Sequence, residues 1–66
     1  MNVRVDTPSE AQVIAGAQAM HAAFEQRQER RDPFYTRQRW DQIGEACQRE
    51  FIDYVRPALN AAWRCV

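Results

Sequence analysis

The sequence has no lysine, a single leucine and few β-branched residues. All nine basic side chains are arginine, while alanine occurs ten times and glutamine seven times. Because Ala, Gln, Arg and Glu favour helices and β-branched residues favour strands, this composition predicts an all-α protein. The 66 residues leave room for one small helical domain, residues 1–66, whose own hydrophobic core is marginal.

Motifs that carry catalysis or hold a cofactor are also missing. The sequence has one His, and its two cysteines, Cys47 and Cys65, do not form a CxxC pair, which leaves too few ligands for a closed zinc site. No nucleophile stands at helical spacing from His21, and no GxGxxG, P-loop, HExxH or GxSxG motif occurs. We therefore expect no catalytic residues, no cofactor and no metal, in a protein that is not an enzyme.

Long apolar runs are absent as well. No stretch approaches the roughly 20 apolar residues that a transmembrane helix needs. The first residues, Met1 to Asp6, lack the apolar region of a signal peptide. These features favour a cytoplasmic protein with no membrane contact, and residues 1–6 are expected to be disordered.

A capping pattern near the N-terminus predicts the start of the first helix, over residues 7–31. Thr7 and Glu10 match the N-cap and N3 positions of a capping box, and Pro8 stands at N1, where its missing N–H costs nothing. Pro33 ends this helix, because the residue before a proline is driven out of the helical region. The apolar stripe of the helix comprises Val13, Ile14, Ala17, Met20, His21 and Phe24. His21 is expected to pack at the edge of the core, with Glu25 able to orient its ring.

A second helix is predicted over residues 42–64, with Asp41 as its N-cap. Its apolar side is expected to complete the core. That side comprises Ile43, Cys47, Phe51, Tyr54, Val55 and Ala58. Pro57 removes one helical hydrogen bond, so the helix either kinks there, which we prefer, or is split, with a short third helix that starts at Pro57.

The two helices, joined by residues 32–41, predict a helical hairpin whose second helix is apolar on two sides. Because the first helix covers only one side, the other is expected to meet a second copy or a different protein, and the simplest arrangement is a homodimer with four helices. The residues assigned to this dimer interface are Ile52, Leu59, Trp63 and Val66.

The C-terminal part of the first helix carries like charges at helical spacing. Glu25 pairs with Glu29 in this way, and Arg27 pairs with Arg30 and Arg31. Such pairs destabilise an isolated helix by a few tenths of a kcal/mol each, about 1 kcal/mol in all. The segment is therefore expected to fray unless groups from outside it neutralise the charges.

The centre of the chain concentrates positive charge and aromatic rings. Residues 27–39 contain five Arg against Glu29 and Asp32, a net charge of +3, with Phe34 among them. Arginine and aromatic rings are typical of both protein interfaces and base-stacking surfaces, although the same rings can fold back as a lid over the core. The residues expected to contact a partner are Arg27, Arg30, Arg31, Tyr35, Arg37, Arg39 and Trp40.

One pattern resembles a group of small uncharacterised helical accessory proteins of bacteriophages and prophages. In these proteins a Trp precedes an acidic turn, an aliphatic residue and a helix with a basic residue and an aromatic one. The matching residues here are Trp40, Asp41, Ile43, Gln48 or Arg49, Phe51, Val55 and Leu59, after an Ala-rich helix that ends in Phe24. The resemblance implies an accessory protein, a class that includes inhibitors of host machinery such as anti-defence proteins, acting in the host cytoplasm.

The function expected from these observations is stoichiometric binding. The first hypothesis is a protein-binding module that modulates or inhibits a host protein through an acidic surface of that protein. The alternative is a small nucleic-acid-binding regulator that uses the same central arginines and aromatic rings.

Overall fold

A computed structural model describes residues 7–65 of the chain. The described residues form two α-helices, α1 (Glu10–Arg31) and α2 (Glu45–Arg64), and a short 3₁₀ helix, η1 (Trp40–Gln42), with no strand among them. The two α-helices pack against each other along their length as an antiparallel hairpin. The prediction of an all-helical chain with two packed helices is confirmed, while the predicted disorder of residues 1–6 lies outside the described part of the chain.

Helix α1 is capped by Ser9, and the predicted cap at Thr7 is wrong. The hydroxyl of Ser9 accepts a hydrogen bond from the Gln12 N–H at 3.2 Å, and the Gln12 side-chain oxygen accepts one from the Ser9 N–H at 2.8 Å. Both Thr7 and Ser9 begin a capping-box pattern. The later start leaves the carboxylate of Glu10 available for Arg56 of α2, whose two guanidinium nitrogens donate to it at 2.6 and 3.2 Å.

Helix α2 begins at Glu45, three residues later than predicted. Asp41 lies inside η1 and is not the N-cap. The cap position belongs to Gly44, whose backbone has a φ of 85° and a ψ of 156°. Because side chains disfavour this backbone region, only a glycine accepts it without strain.

Pro57 lies in the interior of one continuous helix, so the short third helix considered above does not form. The side chain of Pro57 is exposed, on the side of α2 that faces away from α1. Only one hydrogen bond is lost at this position, and the packing of α2 on both sides of the proline holds the helix together.

No helix within residues 7–65 combines the length and the apolar character that a membrane span requires.

The buried residues of α1 recur every fourth position and include two polar ones. They are Val13, Ala17, His21 and Glu25. Three large residues predicted for the core are instead exposed, namely Ile14, Phe24 and Tyr54, at 38%, 45% and 75%. The predicted stripe was built from the apolar residues of the sequence. The residues that are buried are those on the side of the helix that faces α2 and η1, whether apolar or polar.

The side of α2 that faces α1 runs between the two predicted stripes. Val55 and Leu59 pack on Gly16 so closely that a Cβ atom there would lie 3.5 Å and 3.0 Å from their methyl groups. Ile52 and Trp63 are half-buried, while Ala58, assigned to the core, is exposed. Leu59, assigned to the dimer interface, therefore contributes to packing within the chain, and Val66 lies outside the described residues.

Candidate functional site

A buried carboxylate ties the connecting segment to α1. Glu25, only 7% exposed, accepts a hydrogen bond from the Tyr35 hydroxyl at 2.5 Å and another from the Gln38 N–H at 3.0 Å. The Tyr35 hydrogen bond lowers the pKa of Glu25 below its usual 4.5, with further lowering from the Gln38 N–H. The same hydrogen bond raises the pKa of Tyr35. The segment after α1 is thus anchored by charge-assisted hydrogen bonds.

His21 lies one helical turn before Glu25 and is 4% exposed. Its Nε2 atom is 3.5 Å from the Glu25 carboxylate and makes no hydrogen bond to any described residue. The ring packs edge-on against Trp40 and Phe51, at centroid distances of 5.8 and 5.4 Å. The expectation that His21 packs at the core beside Glu25 is confirmed.

Trp40 covers the cluster of His21 and Phe51. Its ring lies 6.2 Å from that of Phe51, and its carbonyl oxygen accepts a hydrogen bond from the Gln48 side chain at 2.8 Å. Both aromatic residues assigned to partner contact therefore turn toward the helices. Tyr35 hydrogen-bonds to Glu25 and Trp40 packs on His21, as expected of the alternative in which these rings form a lid over the core.

The connecting segment also supplies partners for the two glutamates in the like-charged part of α1. Arg37 donates to the carboxylate of Glu29, and Glu25 accepts the hydrogen bonds from Tyr35 and Gln38. These contacts give the acidic half of the charged segment the outside groups that it needed, and helix α1 continues to Arg31. Arg39 lies 3.4 Å from Asp41, outside α1.

Three arginines assigned to partner contact remain on an exposed face near the end of α1. They are Arg27, Arg30 and Arg31. No carboxylate within residues 7–65 lies within 4.0 Å of their guanidinium groups. Positive side chains in the last turn are favoured by the helix dipole, and here they leave a patch of positive charge at the end of the hairpin.

The most exposed large apolar side chain described is Phe34, at 91%, just beyond those arginines. Asp32 fixes its turn: the carboxylate accepts from the Phe34 N–H at 2.9 Å, and the carbonyl accepts from the Tyr35 N–H at 3.1 Å. We call Arg27, Arg30, Arg31 and Phe34 the hairpin tip. Phe34 was not among the residues expected to contact a partner, although its place after Asp32 and Pro33 is a turn signal.

A second apolar surface lies on one side of the hairpin. It is a groove of about 250 Å³ lined by Met20, Phe24, Glu50, Phe51 and Tyr54, which we call the apolar groove. The rings of Phe24 and Phe51 meet edge-on at 5.7 Å in its floor. Two aromatic side chains of different helices are therefore in reach of any molecule that docks here.

Groups of three side chains able to hold a metal ion do not occur within the described part of the chain. Both Cys47, half-buried, and Cys65, exposed, are free thiols.

No protein-family model, curated protein or solved structure matches this chain. The hairpin tip and the apolar groove are the two surfaces from which a function has to be argued.

Proposed function

We propose that this protein is a non-enzymatic binding module that recognises another protein through the hairpin tip. The observation that carries the proposal is Phe34, a large apolar side chain left 91% exposed in a turn whose backbone is hydrogen-bonded. A few aromatic and arginine residues supply most of the energy of a typical protein interface. The hairpin tip combines both residue types.

The anchoring of the tip favours tight binding. Asp32 holds the turn that carries Phe34, and Glu25 holds the segment that follows it through Tyr35 and Gln38. A binding loop that is already ordered loses little conformational entropy when a partner binds. Tyr35, Arg37 and Trp40 thus support the contact surface from behind.

The chemistry of the tip defines the partner. Arg27, Arg30 and Arg31 offer planar guanidinium groups that pair with carboxylates, and Phe34 needs an apolar pocket. The partner is therefore a protein whose surface combines a cluster of Asp and Glu with a pocket for one aromatic ring. The resemblance to bacteriophage accessory proteins suggests a host protein, which stoichiometric binding would modulate or inhibit.

Photo-crosslinking tests this proposal directly. A benzophenone amino acid placed at position 34 is expected to form an adduct of one chain with one acidic protein in living cells. The same amino acid at Gln18, exposed on α1 and away from the tip, serves as the matched control and should form no such adduct. The combined Arg30→Glu and Arg31→Glu substitutions should abolish the adduct from position 34.

Two outcomes would contradict the proposal. Identical adducts from positions 34 and 18 would show that crosslinking reports only random collisions. Electrophoretic binding to DNA or RNA that weakens steeply with salt, and is lost on the same arginine substitutions, would assign the tip to nucleic acid instead.

A further inference from the structure

We infer that the apolar groove is the interface of a homodimer, in which Tyr54 of each copy enters the groove of the other. This interface lies apart from the hairpin tip and does not depend on the function proposed for it. It also differs from the stripe of Ile52, Leu59 and Trp63, because Leu59 already packs against Gly16 within the chain.

The hairpin by itself buries few apolar side chains. Val13 and Ala17 are the only fully buried hydrophobic residues within 7–65, and α2 contributes none. Phe24 and Tyr54 remain 45% and 75% exposed. A domain of this size with so small an interior usually gains stability from disulfides, metals or association, and both cysteines are free thiols.

The shape of the groove identifies the partner as a second copy. The groove measures about 250 Å³, and a cavity of about 150 Å³ already holds a benzene molecule. One aromatic ring therefore fits, and Tyr54 at the wall of the groove projects such a ring into solvent. A surface that carries both a protruding ring and a pocket for one satisfies the self-complementarity that a two-fold interface requires.

Charge does not oppose this association. The chain has equal numbers of basic and acidic residues and a net charge of zero at pH 7. Two copies therefore approach without the mutual repulsion that a strongly charged chain would have.

The shortage of buried apolar surface belongs to the hairpin itself. The molecule that covers the groove must therefore be present wherever the hairpin folds, as a second copy is.

Sedimentation of the whole chain at several concentrations, under reducing conditions, tests the inference. Wild type is expected to dimerise, and Tyr54→Arg should raise the dissociation constant at least about tenfold, as loss of a central interface aromatic does. Tyr54→Phe keeps the ring and should keep the dimer. Phe34→Arg is the matched control, since it replaces an exposed ring by the same charge outside the groove.

Circular dichroism separates lost association from lost folding. Tyr54 is 75% exposed, so its variants should retain the helix content of wild type. A wild-type chain that stays monomeric up to the highest concentration, or a Tyr54→Arg variant that dimerises like wild type, would overturn the inference. Loss of the dimer in Phe34→Arg would also overturn it, whereas loss of the position-34 adduct in an Arg30→Glu, Arg31→Glu chain that still dimerises bears on the proposed function alone.

Discussion

The two halves of the hairpin are held together by different forces. Towards the open end, Gly16 lets α1 approach Val55 and Leu59 closely, and the contact is apolar. Towards the tip, the buried residues are His21 and Glu25, and the contact depends on hydrogen bonds from the connecting segment and on aromatic rings. The comparison shows that a chain this small divides its stability between close packing and one buried carboxylate.

The largest effect is expected at Glu25. Glu25→Ala removes the charged acceptor of two half-buried hydrogen bonds and should lower the free energy of unfolding by about 2 kcal/mol, since a hydrogen bond to a charged group contributes about 1.5–3 kcal/mol. Urea denaturation followed by circular dichroism measures this loss. The control is Glu29→Ala, whose carboxylate is exposed and should matter much less. Equal losses in the two variants would show that the tip half does not depend on a buried carboxylate.

The next effect is expected at Gly16, on the apolar side of the comparison. Gly16→Val should cost about 1–2 kcal/mol, because its side chain would force Leu59 out of place. Gly16→Ala should change stability by less than about 0.5 kcal/mol, since the gain in helix propensity offsets a small shift of the flexible Leu59 end. Both are measured by urea denaturation.

Gly44→Ala provides the contrast for these glycine variants. No atom lies within 4 Å of a Cβ built there, yet φ is +85°, so the loss, about 2 kcal/mol, comes from backbone strain alone. If Gly16→Ala proves as damaging as Gly44→Ala, the approach of the two helices at the open end is tighter than Leu59 can relieve.

A smaller effect is expected from acid. Because the pKa of Glu25 in the folded chain is below its usual 4.5, chiefly through the Tyr35 hydrogen bond, its stabilising contribution is complete above pH 4.5. That contribution is lost as the pH falls through the lowered pKa. Unfolding free energies measured at descending pH should therefore converge for wild type and Glu25→Gln. A difference that stays constant with pH would show that the charge of Glu25 is not what the tip half uses.

The smallest effect is expected at the ion pair between Arg56 and Glu10, because the Glu10 side chain is largely exposed to water and that of Arg56 is partly exposed. The pair lowers the pKa of Glu10 through the hydrogen bond and charge of Arg56. A double-mutant cycle of Glu10→Ala and Arg56→Ala should give a weak coupling that fades with added salt. A coupling larger than the effect of Glu25→Ala would reverse the comparison between the two halves.

The helices and their pairing follow from composition and apolar spacing, because these act locally. The set of buried residues in α1 does not follow from them, because any such pattern treats Glu25 as solvent-exposed. Its burial depends on Tyr35 and Gln38, ten and thirteen residues further along the chain. Likewise, the stripe of α2 that meets α1 depends on how Gly16 lets the helices approach.

The candidate site likewise contains residues whose exposure the sequence predicted and residues whose exposure it did not. Arg27, Arg30 and Arg31 remain exposed as the charge pattern predicted, whereas the rings of Tyr35 and Trp40 turn inward. Periodicity does not apply to an irregular connection, so apolar spacing does not decide which of its aromatic side chains is exposed to solvent. The hydrogen bonds to Asp32 decide it for Phe34.

The proline in α2 also has a consequence for motion. Pro57 has no N–H, so the carbonyl of Asp53 lacks its helical donor, and the turns on either side are joined by one hydrogen bond fewer. Residues 57–64 are fewer than the roughly 12 that an isolated helix needs. In deuterated water, the amides after Pro57 should therefore exchange first and as one group, through an opening that uncovers Trp63 while the hairpin tip stays closed.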